Sequence, residues 1–260
     1  MRWILMLGVM MLAANSWASE GHDGKKASPT GDKASHASSK AHLNLILSGT
    51  RERMRENKAR QLSEDELLEH FREIVAQADK REAAYEEGKA AIEFCQRCHG
   101  ETGQSKRGYI PNLAAQHPEY LFKQFRHFAT GERKSMIMEP LARRIDPHDA
   151  VHVAIYYAMQ KPVANVPSDL KRAQAGEPLF KSRCASCHGD MGQGNADHPR
   201  LAGQPEQYLN EVLRTFKYRP EKRSGTVMSG IAQSLSDEDI RNVAAYLTGL
   251  ASESKVAGLD

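Results

Sequence analysis

The chain has 260 residues, with 36 Lys+Arg against 33 Asp+Glu and a formal charge of +3. That balance gives no reason to expect nucleic acid or an anionic membrane surface as a partner, and the length allows one large domain or two ordinary ones. Aromatic residues make up only 7%, and no alternating β-branched runs stand out, so the chain reads as all-α.

Arg2 supplies a positive start, Trp3 to Ala14 is uncharged and apolar, and Ser16-Trp17-Ala18 places small residues where a signal peptidase reads. This layout predicts a signal peptide over residues 1–18, since the apolar run is short for a membrane span; the alternative is retention as an anchor. Residues 19–42 are polar and read as a flexible linker. His22, His36 and His42 are loosely spaced and joined by no Cys, which fits a solvated tail better than a metal site. Residues 43–84 form a helical N-terminal extension in this reading. Ser63-Glu64-Asp65-Glu66 has the form of a capping box, and Leu67, Phe71, Ile74, Val75 and Ala78 follow as one amphipathic stripe. That stripe is expected to pack on the downstream domain, with docking to a membrane-associated complex as the alternative.

All four cysteines fall in two matching settings, Cys95-Gln96-Arg97-Cys98-His99-Gly100 and Cys184-Ala185-Ser186-Cys187-His188-Gly189. Cys-x-x-Cys-His is the attachment signature of a c-type haem. Two thiols one helical turn apart can add across the two vinyl groups of a porphyrin edge, and the adjacent His then lies under the iron. A thioredoxin-like motif would need a βαβ context, and neither that motif nor a zinc site needs a His directly after each second Cys. Cys95, Cys98, Cys184 and Cys187 are therefore expected to hold two haem c groups, with His99 and His188 as iron ligands.

The chain is also internally repeated. A displacement of 89 residues superimposes Cys184 on Cys95. Pro199-Arg-Leu-Ala-Gly-Gln204 matches Pro111-Asn-Leu-Ala-Ala-Gln116, Tyr208 matches Tyr120, and Phe216 matches Phe128 at a displacement of 88. Met228, Asp239 and Tyr246 match Met138, Asp149 and Tyr156 at 90. One module has been duplicated. Met138 and Met228 lie 39 and 40 residues after their haem histidines, in the shared frame Met-x-x-[Leu/Ile]-Ala-x-x-[Ile/Leu], and are the expected sixth ligands. Met136 is the runner-up to Met138.

Pro111 and Pro199 lie 12 and 11 residues after those histidines, where a loop carbonyl can accept the second imidazole N–H. Tyr120 and Tyr208 begin a middle helix in each copy. Asp146-Pro147 and Ser236 open the last helices, which are expected to pack on the short motif helices. The chain thus divides into two haem-binding domains at 85–161 and 171–252, a linker at 162–170 and a tail at 253–260.

The paired motifs, the Pro-x-Leu-Ala-[Gly/Ala]-Gln stretch, the Tyr-Leu helix and the late Met together resemble cytochrome c4 over about Tyr85 to Leu250. The resemblance implies two tandem class I cytochrome c folds, Met/His ligated, that face each other near the propionate edges. It also implies a periplasmic electron carrier, not an enzyme and with no catalytic residues, working between respiratory donors such as a quinol-oxidising complex and a terminal oxidase or reductase. The departure from the family is the stretch 19–84. Two alternatives follow: a fixed subunit of a membrane-associated oxidoreductase, tethered through residues 43–84, or a haem enzyme such as thiosulfate dehydrogenase.

Overall fold

Residues 63–223 and 225–250 are described by the computed structural model. The expected signal peptide, the linker at 19–42, the first part of the extension and the tail lie outside these residues. Every described helix falls in the unit that begins at Leu62.

The first helix, α1 (Glu64–Ala76), starts as its sequence dictates. Ser63 Oγ accepts from the Glu66 amide at 3.2 Å, and the Glu66 carboxylate accepts from the Ser63 amide at 2.7 Å. Its stripe of Leu67, Phe71 and Ile74 is buried against Phe122, Val151 and Ile155. Phe71 stacks on Phe122 with ring centroids 6.1 Å apart. The apolar face of this helix is thus covered by its own protein and is not a docking surface.

The first module continues with α2 (Ala78–Ala91), the motif helix α3 (Glu93–His99), α4 (Pro118–Thr130), α5 (Met138–Ala142) and α6 (Pro147–Ala158). Helix α2 runs through the 84/85 limit drawn from the sequence. The second module repeats the order: α7 (Leu170–Arg183), motif helix α8 (Ala185–His188), α9 (Glu206–Tyr218), α10 (Met228–Gln233) and α11 (Asp237–Gly249). No strand occurs among the described residues. The last helix of each module finds its main partner in the helix before the motif, α6 on α2 and α11 on α7, rather than in the short motif helix itself.

These crossings depend on glycine. A β-carbon at Gly88 would overlap the His152 carbonyl oxygen, and one at Gly176 would overlap that of Asn242. With hydrogen in that place the two backbones touch, and aromatic rings close the sides. Tyr85 lies 5.1 Å from Tyr156, and Phe180 lies 5.5 Å from Tyr246, between centroids. The segment between the modules is fastened to the second one: the Asn165 amide donates to the Thr248 carbonyl at 3.1 Å, and its side chain donates to the Gly203 carbonyl at 2.8 Å. Overpacking at such a contact costs roughly 1–3 kcal/mol. Gly88→Ala should therefore lower the melting temperature clearly. Gly230→Ala, inside helix α10 where a β-carbon meets nothing within 4 Å, should instead leave stability unchanged or raise it by up to about 1 kcal/mol. Denaturant titration of both variants checks this.

Candidate haem sites

In each module a helix ends at the motif histidine. Gly100 and Gly189 follow at φ values of 80° and 79°, a backbone region that side-chain-bearing residues rarely adopt. The glycine after each histidine is thus needed to turn the chain, a reason additional to close approach of the backbone to a cofactor. The turn brings a proline carbonyl under the imidazole. His99 Nδ1 lies 2.9 Å from the Pro111 oxygen, and His188 Nδ1 lies 2.9 Å from the Pro199 oxygen. A carbonyl only accepts, so Nδ1 carries the proton in both rings and Nε2 is left with its lone pair for a metal. Burial holds both histidines below their ordinary pKa, which favours this neutral form.

No disulfide joins any of the four cysteines. Burial pushes Cys95 and Cys184 upward, the opposite of the depressed thiol of a disulfide-exchange site. Among the candidate sixth ligands, Met138 and Met228 occupy equivalent places. Each is half-buried and opens a short helix, α5 or α10. A nearby hydroxyl, Ser135 at 3.1 Å or Thr226 at 3.2 Å, accepts from each Met amide. Met136 is 97% exposed, and Met159 packs into the core of the first module.

The modules meet through Arg133 and Arg223, which have no role in the sequence reading. Arg133 and Arg223 form an antiparallel bridge between the modules. Each guanidinium lies over a phenylalanine of its own module, Phe128 at 4.4 Å and Phe216 at 4.9 Å. Their side-chain partners among the described residues are Gln124, Tyr120 and Tyr208, none of them a carboxylate. Burial pulls Arg223 below its ordinary pKa, and the charge of Arg133 adds to the effect. The repeat register could have found this set, because both pairs recur at displacements of 88 to 90 residues.

Paired thiols, an anchored imidazole with a free Nε2, and two cations short of an anion suit a group with vinyl edges, an iron and an anionic edge. Two such sites on two matching helical modules define a dihaem c-type cytochrome. The comparisons agree. The family model for cytochrome c matches residues 173–251. Cytochrome c4 of Azotobacter vinelandii is 33% identical over 190 residues, covering 65% of this chain and 89% of the relative. The thiosulfate dehydrogenase electron acceptor of Stutzerimonas stutzeri is 31% identical over 197 residues, covering 68% of this chain and 89% of the relative. The crystal structure of reduced recombinant cytochrome c4 from Pseudomonas stutzeri matches with a TM-score of 0.61 at 30% identity, covering 64% of this chain and 98% of that one. The chain belongs to the cytochrome c4 family: an electron carrier of two class I cytochrome c folds, with haem c as cofactor.

A pH dependence follows from the module contact. His117 is 7% exposed, and its Nε2 donates to the Gln193 carbonyl at 2.9 Å. Burial lowers its pKa from 6.5, so the unfolded chain takes up the proton more readily than the folded one. Its contribution to stability is complete above about pH 6.5 and is lost as pH falls through that value towards the folded pKa. The melting temperature should drop on acidification below about pH 6.5, and His117→Gln should flatten that slope.

Proposed function

We propose that this chain is an exported periplasmic relay that passes single electrons between a respiratory donor and a terminal oxidase or reductase. The observation that carries this reading is the duplicated ligand geometry: each module has a proline-anchored histidine and a half-buried methionine at the head of a short helix. Haem c supplies an iron that cycles between the ferric and ferrous states. Cys95, Cys98, Cys184 and Cys187 would hold it as thioethers, His99 and His188 would ligate through Nε2, and Met138 and Met228 would supply the thioether ligands. A thioether ligand favours ferrous iron and raises the potential, which suits a carrier and leaves no open site for substrate. Arg133 and Arg223 meet between the modules, and their charge would also favour the reduced state of a nearby iron.

Met138→Ala should abolish the methionine-to-iron charge-transfer band of one ferric haem, lower its potential and admit exogenous imidazole, while Met136→Ala should change none of these. The reverse result would assign ligation to Met136.

A second reading is favoured by the likeness to the Stutzerimonas stutzeri thiosulfate dehydrogenase electron acceptor. In it the chain docks on one dehydrogenase or membrane complex. No described helix is long and apolar enough to cross a membrane, so such docking would be to protein or through residues before Ser63. Truncation at residue 62 is the informative cut, because removal of α1 would uncover Phe122 and Val151. Equal co-purification of a redox partner with the full and truncated holoproteins would leave the relay reading standing, whereas loss on truncation would support the tethered one.

A further inference from the structure

Two glutamines close the repeated Pro-x-Leu-Ala-x-Gln stretch, and each reaches into the other module. Gln116 Oε1 accepts from the Arg200 amide at 2.8 Å, while its Nε2 donates to the Arg200 carbonyl at 3.0 Å. Gln204 Oε1 accepts from the Asn112 amide at 3.0 Å, while its Nε2 donates to the Asn112 carbonyl at 2.7 Å. Both glutamines are buried, at 4% and 5% exposure. Each side chain matches one donor and one acceptor, so the orientation of its amide is set by its partners.

The amide of Arg200 and the carbonyl of Pro199 belong to one peptide group. That carbonyl accepts from His188 Nδ1, so a continuous hydrogen-bond chain runs from Gln116 through one peptide to the imidazole of the other module. The mirror chain runs from Gln204 through the Pro111–Asn112 peptide to His99. An acceptor on the N–H side of a peptide polarises it and makes its carbonyl a stronger acceptor. A stronger acceptor on Nδ1–H makes the imidazole a more basic ligand.

The backbone is shaped for this reach. Ala115, just before Gln116, is the only non-glycine residue among those described with a positive φ, 54°; its counterpart Gly203 has 73°. Ala115 is held there by its amide, which donates to the Tyr157 carbonyl at 3.1 Å. A left-handed alanine is strained, and this conformation turns the chain so that residue 116 faces the other module.

We infer that Gln116 and Gln204 are positioning residues acting crosswise, each setting the ligand strength of the haem histidine in the module to which it does not belong. This rests on His99 and His188 as iron ligands. Replacing Gln116 weakens the bond at His188 and raises the potential of the second haem; replacing Gln204 does the same for His99 and the first.

The test uses the full dihaem holoprotein labelled with 15N-histidine. In the ferrous state Gln116→Leu should move the His188 Nδ1–H resonance to lower frequency and leave that of His99 in place, and Gln204→Leu should do the converse. Spectroelectrochemistry should show the second haem alone rising in potential in Gln116→Leu. Gln116→Glu keeps size and acceptor and adds negative charge, so it should lower that potential; it also serves if the leucine variant does not assemble. Movement of both histidines together, or shifts of the same sign for Leu and Glu, would overturn the inference as a mere loosening of the interface. Wild-type protein lacking two ring-current-shifted imidazole signals would instead overturn the ligand assignment beneath it. Two such signals that neither glutamine variant moves would overturn the crosswise coupling alone.

Discussion

His99 and His188 each place Nδ1 2.9 Å from a proline carbonyl, and most of the remaining architecture serves to keep that carbonyl still. The loop that carries Pro111 is clamped by the Gly103 carbonyl, which accepts from the Leu113 and Ala114 amides at 2.8 and 3.2 Å. The Gly192 carbonyl does the same for Leu201 and Ala202 at 2.7 and 3.0 Å. Each loop is then tied to the last helix of its module, Ala115 to Tyr157 and Gly203 to Leu247, through backbone bonds of 3.1 and 2.9 Å. The last helix is fixed in turn by its glycine crossing. Each motif histidine is thereby tied through backbone hydrogen bonds to the glycine crossing of its module, which would limit its movement as a ligand.

The modules share this frame but are not equal. Tyr157 of the first module bonds the Gly100 carbonyl through its hydroxyl at 3.2 Å, and Tyr156 bonds Glu101 at 3.1 Å. The second module has Leu247 where Tyr157 stands and packs the turn by apolar contact with Gly192. Helix α1 covers only the first module, whereas the segment after Lys161 is fastened to the second. Different polarity and cover around two like ligand sets give the two haems different surroundings, the usual lever on potential.

Between the modules the contact is polar. Two arginines, two tyrosines and the amide side chains of Asn112, Gln116, Gln124 and Gln204 meet there, with the Phe128 and Phe216 rings under the guanidiniums. A polar contact of this kind fixes register better than it supplies adhesion, because each group left without its partner would be penalised. The pairing of residues 116 with 200 and 204 with 112 therefore specifies one relative placement of the modules.

The sequence determined what depends on short spacing. The thiol pairs and their histidines, the repeat, the capping box at Ser63, the cap at Ser236, and the proline carbonyls 11 and 12 residues beyond the histidines were all legible. Each is local, so chain geometry alone constrains it. The destination of the α1 stripe, the glycines at the helix crossings and the crosswise glutamines were decided only by tertiary structure. Gln116 and Gln204 were visible as repeated letters, but their partners lie 84 and 92 residues away. At that separation no spacing rule applies, and only packing of the two modules brings donor to acceptor.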